Sequence, residues 1–316
     1  MLALVTAPLL SRAASASPDW PNRQGRVIVP YPAGGATDVM GRLAAEVLSQ
    51  ESGQRFIVEN KGGASGSIGT TEAQAAPPDG YTFLVATPAT HVTNQFLRAK
   101  LPYDPDAYEP VVLLSRSAMV MIVHPSVNAQ NVADLVALAK REPGKLNFAS
   151  SGTGATSHLA PELFKKMADV DIAHIPYRGA GPAMNDLIGG KVQLMIDNLQ
   201  TALPQIRAGA VRALGVSSTR RLPALPDVSP IGDTVPGYEA LSFLALVAPK
   251  ATPESIRLKA AGLIQKAFRM PRVEAALQAL GVEFTPGTPE ELTRFIQAER
   301  LKWGALIRER GLKDES

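Results

Sequence analysis

The sequence predicts an α/β protein made of two lobes of similar construction, and three observations carry that expectation. The chain has 316 residues, 45% of them apolar and 19% charged, enough to bury more than one core at roughly 100–200 residues per domain. Short apolar segments alternate with amphipathic ones, the pattern of a largely parallel sheet covered by helices. A strand, glycine turn and helix near the start of the chain recur as a unit in its middle.

Residues 26–31 read as a buried strand, Pro32-Ala33-Gly34-Gly35-Ala36 as a turn, and residues 38–50 as a helix with Val39, Leu43 and Val47 facing inward. A strand at 56–59, a small-residue loop at 61–69, a helix at 68–76, a turn at Pro77-Pro78-Asp79-Gly80 and a strand at 81–86 follow. The unit returns as a strand at 146–149, the turn Ser150-Ser151-Gly152-Thr153-Gly154, and a helix at 156–167 that turns Leu159, Leu163, Phe164 and Met167 inward. Strands at 117–123, closed by His124-Pro125, and at 241–248, closed by Pro249, lead into helices at 131–141 and 253–268. These two strands mark where the chain crosses between lobes. Lobe one then comprises residues 17–123 and 243–316, and lobe two residues 124–242. A last helix at 289–310 aligns Leu292, Phe295, Ile296, Trp303 and Leu306 in a stripe that suits docking on lobe one.

Composition excludes several function classes. Lys and Arg total 32 against 29 for Asp and Glu, and no basic block forms a nucleic-acid footprint. Cysteine is absent, which removes disulfides, thiolate metal sites and a cysteine nucleophile. The histidines, at 91, 124, 158 and 174, have no close helical spacing, so neither a metal nor a cofactor is expected. The apolar run at residues 2–10, followed by Ala14-Ser15-Ala16, has the form of an export signal over residues 1–16 and is too short to span a bilayer. A periplasmic location is therefore expected.

The two glycine turns are the candidate site. Gly34 and Gly35 lack the side chains that would block approach to the backbone, and the helix that follows starts with unpaired N–H groups directed at the same space. A helix N-terminus carries about half a positive charge, so a neutral loop can hold an anion. Residues 150–156 supply a second such start, with hydroxyls at Ser150, Ser151, Thr153 and Thr156. Asp38 reads as a helix cap, because a carboxylate turned toward an anion would repel it. Enzyme motifs fail: no Gly-x-Ser-x-Gly elbow or Walker lysine occurs, and Ser157 stands where Gly152-Thr153-Gly154 would need its third glycine. His158 reads as a surface or cap-region side chain and His174 as structural. No catalytic residue is assigned, and a cleft hydrolase or transferase using Ser150 or Ser151 is the competing reading.

The run Val29-Pro30-Tyr31-Pro32-Ala33-Gly34-Gly35-Ala36-Thr37-Asp38 resembles the opening motif of the Bug family, the TctC-like periplasmic receptors of tripartite tricarboxylate transport systems. Further blocks in the same order are similar: Val58–Gly69, Pro78-Asp79-Gly80-Tyr81-Thr82, Phe148–Gly154 with His158-Leu159, Ile175–Gly179 with Asp186–Gly190, and Arg212–Val216 with Pro223–Asp227. The resemblance implies a type II periplasmic binding fold, two α/β lobes around a central cleft joined by two crossing strands. It implies a pincer on a ligand carboxylate, with Tyr31, Ala33, Gly34, Gly35 and Thr37 on one side and Ser150, Ser151, Gly152 and Thr153 on the other. Thr87, Thr90, His91 and Asp197 match further cleft positions. The implied partners are a small carboxylate and the large and small membrane subunits of a tripartite transporter, with the receptor a monomer. A sensor without a cognate transporter and a cytoplasmic regulatory domain are the alternatives. Ser242-Phe243-Leu244-Ala245-Leu246 departs from the Trp and Gly common there in the family, and Ser67 from its Asn. Dicarboxylates, amino acids and aromatic acids all remain open as ligands.

Overall fold

A computed structural model describes residues 20–279, 282–283 and 287–313. The expected signal peptide at 1–16 lies outside the described residues. The chain begins in the first lobe with β1 (Gly25–Val29), α1 (Ala36–Ser52), β2 (Phe56–Asn60), α2 (Ser67–Gln74) and β3 (Thr82–Ala86). A π turn at Ala89–Thr93 and the short α3 (Asn94–Leu97) lead to β4 (Tyr108–Val123). The second lobe holds α4 (Val132–Arg141), β5 (Asn147–Ser150), α5 (Thr156–Ala168), β6 (Ala173–Pro176), α6 (Ala180–Ile188), β7 (Leu194–Asn198), α7 (Leu199–Arg207) and β8 (Arg212–Val216). The chain then returns through β9 (Leu241–Pro249), α8 (Glu254–Phe268), α9 (Pro271–Ala279), β10 (Val282–Glu283) and α10 (Pro289–Glu309).

Strand β4 joins the two sheets. Its first part, Tyr108 to Ala118, pairs antiparallel with β9, which continues through β3 and β1 to β2. Its last part, Met119 to Val123, pairs with β7 on one side and β8 on the other, and β7 continues through β5 to β6. The strand begins well before the expected Ser117. Glu109, Pro110 and Arg116 break its apolar pattern in sequence, and the register shifts between Pro110 and Val112 and between Leu113 and Ser115 accommodate the irregularity. The chain comes back beside this crossing: Ser217 donates its N–H to Met119, Ala240 donates to Ser217, and Ser242 pairs with Ser117.

Two helix faces differ from the periodic expectation. On α1 the buried residues are Met40, Ala44, Val47 and Leu48, while Val39 is exposed, so the inward stripe is rotated by one residue at its start. Small alanines and Gly41 pack closely on the sheet, which a count of large apolar residues overlooks. On α5 Leu159 and Phe164 are buried but Met167 is exposed.

One hydrophobic core runs through both lobes, joining Ile28 and Leu84 of the first with Phe148, Leu159 and Phe164 of the second and with Trp303, Leu306 and Ile307 of α10. The last helix therefore reaches beyond the lobe on which it was expected to dock. Its capping box at Thr288 and Glu291 fixes one end. Beyond its other end, Arg310 meets the buried Glu162 of α5 at 3.2 Å, and Glu162 also holds Lys165 at 2.6 Å. Removing one member of a buried ion pair leaves the other uncompensated. Glu162→Ala should therefore lower stability by about 3 kcal/mol in urea unfolding, and a change within about 0.5 kcal/mol would refute this role.

Candidate functional site

A cavity of about 470 Å³ lies between the lobes. Four helices begin on its wall: α1 with Gly35 before it, α5 with Ala155, α6 with Gly179 and α7 with Asn198. None of the four starts has a side-chain cap. Among the described residues, α4 is capped by Asn131 and α10 by Thr288, and these, like the uncapped α2, α3 and α8, begin elsewhere. Backbone N–H groups at the start of a helix lack intrahelical partners, and each such start carries partial positive charge. The cavity is therefore polarised to receive negative charge, from both lobes at once.

Asp38 shapes the first of these starts. It is the third residue of α1, and Gly35 takes the cap position instead. Its carboxylate accepts from the Gly34 N–H at 2.9 Å, from Arg42 Nε at 3.0 Å and from Asn60 Nδ2 at 2.9 Å. Asn60 Nδ2 also holds the Tyr31 carbonyl at 3.1 Å. Burial alone would raise the Asp38 pKa, but these hydrogen bonds outweigh it and hold the carboxyl below its usual range. The expected cap is thus a brace behind the loop, and the Gly34 amide is already committed to it. The open amides are those further on: Ala36 and Thr37 make no backbone hydrogen bond through N–H.

The structure brings Tyr31, Ala33, Gly34, Gly35, Thr37, Thr87, Ser151 and Asp197 to the cavity wall, and leaves five predicted positions off it. Ser150 is fully buried, with Oγ 2.7 Å from His174 Nε2. Gly152 donates its N–H to Ser150 Oγ at 3.2 Å, and the Thr153 carbonyl faces the first lobe. Ser65 donates to the Thr153 carbonyl at 3.2 Å and Thr93 to the Gly154 carbonyl at 2.7 Å. A side chain at Gly154 would meet Leu97 at 2.5 Å. Thr90 and His91 lie behind Thr87: the Thr87 N–H donates to Thr90 Oγ1, which contacts His91 Nδ1 at 2.9 Å.

Other cavity residues were not singled out from sequence. Ser115 and Ser117 share one face of β4 beside Ser242 of β9, three hydroxyls at the crossing. Their signal was polarity within an apolar strand. Arg178 is exposed at the wall and makes no ion pair among the described residues. Tyr31 has its hydroxyl pKa raised, chiefly by burial, against the opposing effects of a Thr87 hydrogen bond and the Arg98 charge. On the far wall Asp197 is 1% exposed, accepts from Thr201 Oγ1 at 2.6 Å, and is shifted upward by burial despite that bond.

Residues 40–312 match the family described as the tripartite tricarboxylate transporter family receptor. The chain belongs to that family. It is similar to Rpa4515 of R. palustris, solved with adipate, at 36% identity and a TM-score of 0.90 over 93% of this chain and 99% of that one. MatC (Rpa3494) of Rhodopseudomonas palustris, solved with bound malate, is 30% identical with a TM-score of 0.84 over 91% of this chain and 100% of its own. The periplasmic binding protein BugD is 32% identical with a TM-score of 0.85, covering 93% of this chain and 99% of its own.

Receptors of this kind bind solutes and are not enzymes, and the serines of the second loop are consistent with that. Ser150 does have a histidine partner, but it is sealed from the cavity. His174 stacks against His158, at 3.9 Å between ring centroids, and against Phe148, at 4.7 Å. Burial, then the charge of His158, lowers its pKa to about 3. Ser151, which lines the wall, pairs its Oγ with Ser157 Oγ at 2.9 Å and has no basic partner among the described residues. No helix among the described residues is long and apolar enough to cross a membrane.

A carboxyl whose folded pKa is raised favours folding only while protonated, so its contribution is present below the ordinary value of 3.8 and is lost as pH rises through the folded value. In the unliganded receptor, Asp197→Asn should raise the melting temperature at pH 7 and leave it near wild type below about pH 4. A lower melting temperature at pH 7 would show that Asp197 is better paired than burial implies.

Proposed function

We propose that this protein is a periplasmic receptor that closes its two lobes on a small dicarboxylate and passes it to the membrane subunits of a tripartite tricarboxylate transporter. The single observation that carries the reading is the convergence of four uncapped helix starts, drawn from both lobes, on one cavity that also holds Arg178. One carboxylate would take the open amides of α1 and α5, directly or through water. The other would face Arg178 and the start of α6. A volume of about 470 Å³ suits a short chain, and the relatives solved with adipate and malate support a dicarboxylate.

Closure is the natural partner of a site shared between lobes, with residues 17–123 and 243–316 as one lobe, 124–242 as the other, and a monomer as the working unit. Affinity then equals the closed-state contacts less the cost of closing. The test is a thermal-shift and calorimetric screen of adipate, malate and monocarboxylates. A dicarboxylate should bind at one site, be recovered unchanged, and stabilise the fold by about 2.7 kcal/mol when free ligand is 100-fold above its Kd. Chemical turnover, or preference for an uncharged solute, would contradict the proposal.

Glycine substitution locates the site within the cavity. Gly34 has φ +91°, so a side chain there strains the backbone, whereas Gly35 has φ −87° and open space within 4 Å of an added Cβ. Gly35→Val should reduce dicarboxylate affinity at least about tenfold (roughly 1.4 kcal/mol) with little change in the unliganded melting temperature. Unchanged affinity would move the carboxylate away from α1.

A further inference from the structure

Most buried serines and threonines among the described residues pair within the chain, as Thr70 does with the Gly66 carbonyl at 2.8 Å and Thr252 with the Pro249 carbonyl at 2.7 Å. Ser115, Ser117, Thr156 and Ser242 are as deeply buried, at 2%, 4%, 7% and 9% exposure, yet their hydroxyls make no hydrogen bond among the described residues. All four line the interlobe cavity, and their oxygens open onto it rather than being sealed in the interior. Buried polar groups in folded proteins are paired, so these four await partners from whatever fills the cavity.

Thr156 opens α5, beside amides already suited to a carboxylate. The three serines form the floor at the crossing. Ser115 and Ser117 stand two residues apart on β4, and Ser242 of β9 is the register partner of Ser117. All three therefore share one face, with the Cβ atoms of the partnered pair about 5 Å apart. The alternate residues turn to the other face: the Arg116 guanidinium and the Phe243 ring each lie 5.1 Å from the Phe295 ring of α10. The crossing strands are thus packed on their α10 side and bear hydroxyls on the cavity side.

The charges of the cavity decide what meets this floor. Its charged lining side chains are Arg178 and Asp197. Ligand carboxylates go to the helix starts and to Arg178, and the carbon chain that joins them crosses the serines. A methylene there strips water from the hydroxyls and returns no hydrogen bond. A ligand hydroxyl restores the bonds in both senses, because it donates to one serine and accepts from the next. An ammonium could only donate, and it would sit in the positive potential of the four helix starts.

We propose that Ser115, Ser117 and Ser242 select a dicarboxylate bearing a hydroxyl on its carbon chain over the same acid without one, an inference that rests on the reading of this cavity as a dicarboxylate site. Calorimetric titration at pH 7 compares succinate with both enantiomers of malate, which add one hydroxyl, and with L-aspartate, which puts an ammonium in its place. The tighter-binding malate should exceed succinate, and also aspartate, at least about tenfold in affinity. In Ser117→Ala/Ser242→Ala the ratio of malate to succinate affinity should fall to within about threefold, and the single variants, each melting near wild type, should narrow it part of the way. Succinate as tight as malate, aspartate tighter than malate, or a ratio unmoved in every variant overturns this inference and leaves the dicarboxylate reading standing. Failure of all these acids to bind overturns both.

Discussion

A buried carboxylate is stable only where donors and compensating charge replace the water it has lost. In the proposed site the main chain would supply both. Four helices begin on one cavity wall without side-chain caps, and the loops before them carry small residues that leave the N–H groups open. The positive potential thus comes from backbone dipoles, with Arg178 as the added side-chain charge. Under the proposed function, such a site would recognise the carboxylate as a group and leave selection among acids to the serines of the crossing strands, to Asp197 and to Arg178.

The rest of the fold keeps those starts in place. Strand β4 belongs to both sheets, and α10 packs on the first lobe while its end is tied to Glu162 in the second. The core continues behind the cleft through Phe148, Trp303 and Leu306. Behind the first loop, Asp38 is held by Gly34, Arg42 and Asn60, so the glycine turn is braced from below rather than left mobile above the site. The second loop is anchored across the cleft by Thr93 and Ser65.

Much of the α/β order was legible from alternation and glycine turns, because buried strands and amphipathic helices leave periodic traces of a few residues. The long β4 was not, since Pro110 and Arg116 interrupt its apolar pattern and the pairing that rescues it comes from β9, more than a hundred residues later. The five first-loop positions of the motif lie on the cavity wall, and of the four second-loop positions only Ser151 does. Ser150, Gly152 and Thr153 stand in the motif for backbone geometry: one hydroxyl turns to His174 and the carbonyl of Thr153 turns to Ser65. Thr90 and His91 are near the cleft in sequence and behind its wall in space. Arg178 and the three serines were missed because a single polar residue in a strand or turn carries no periodic signal. Asp38 stands inside the first turn of α1 rather than at its cap, and one of its partners, Asn60, comes beside it only in the fold.

A crystal structure of the receptor with adipate tests the central claim most directly. The account predicts one carboxylate in the interlobe cavity with its oxygens about 2.7–3.2 Å from the amides of Ala36 or Thr37 and of Thr156 or Ser157, or one water away from them. A carboxylate held only by side chains, with those helix starts facing bulk water, would contradict it.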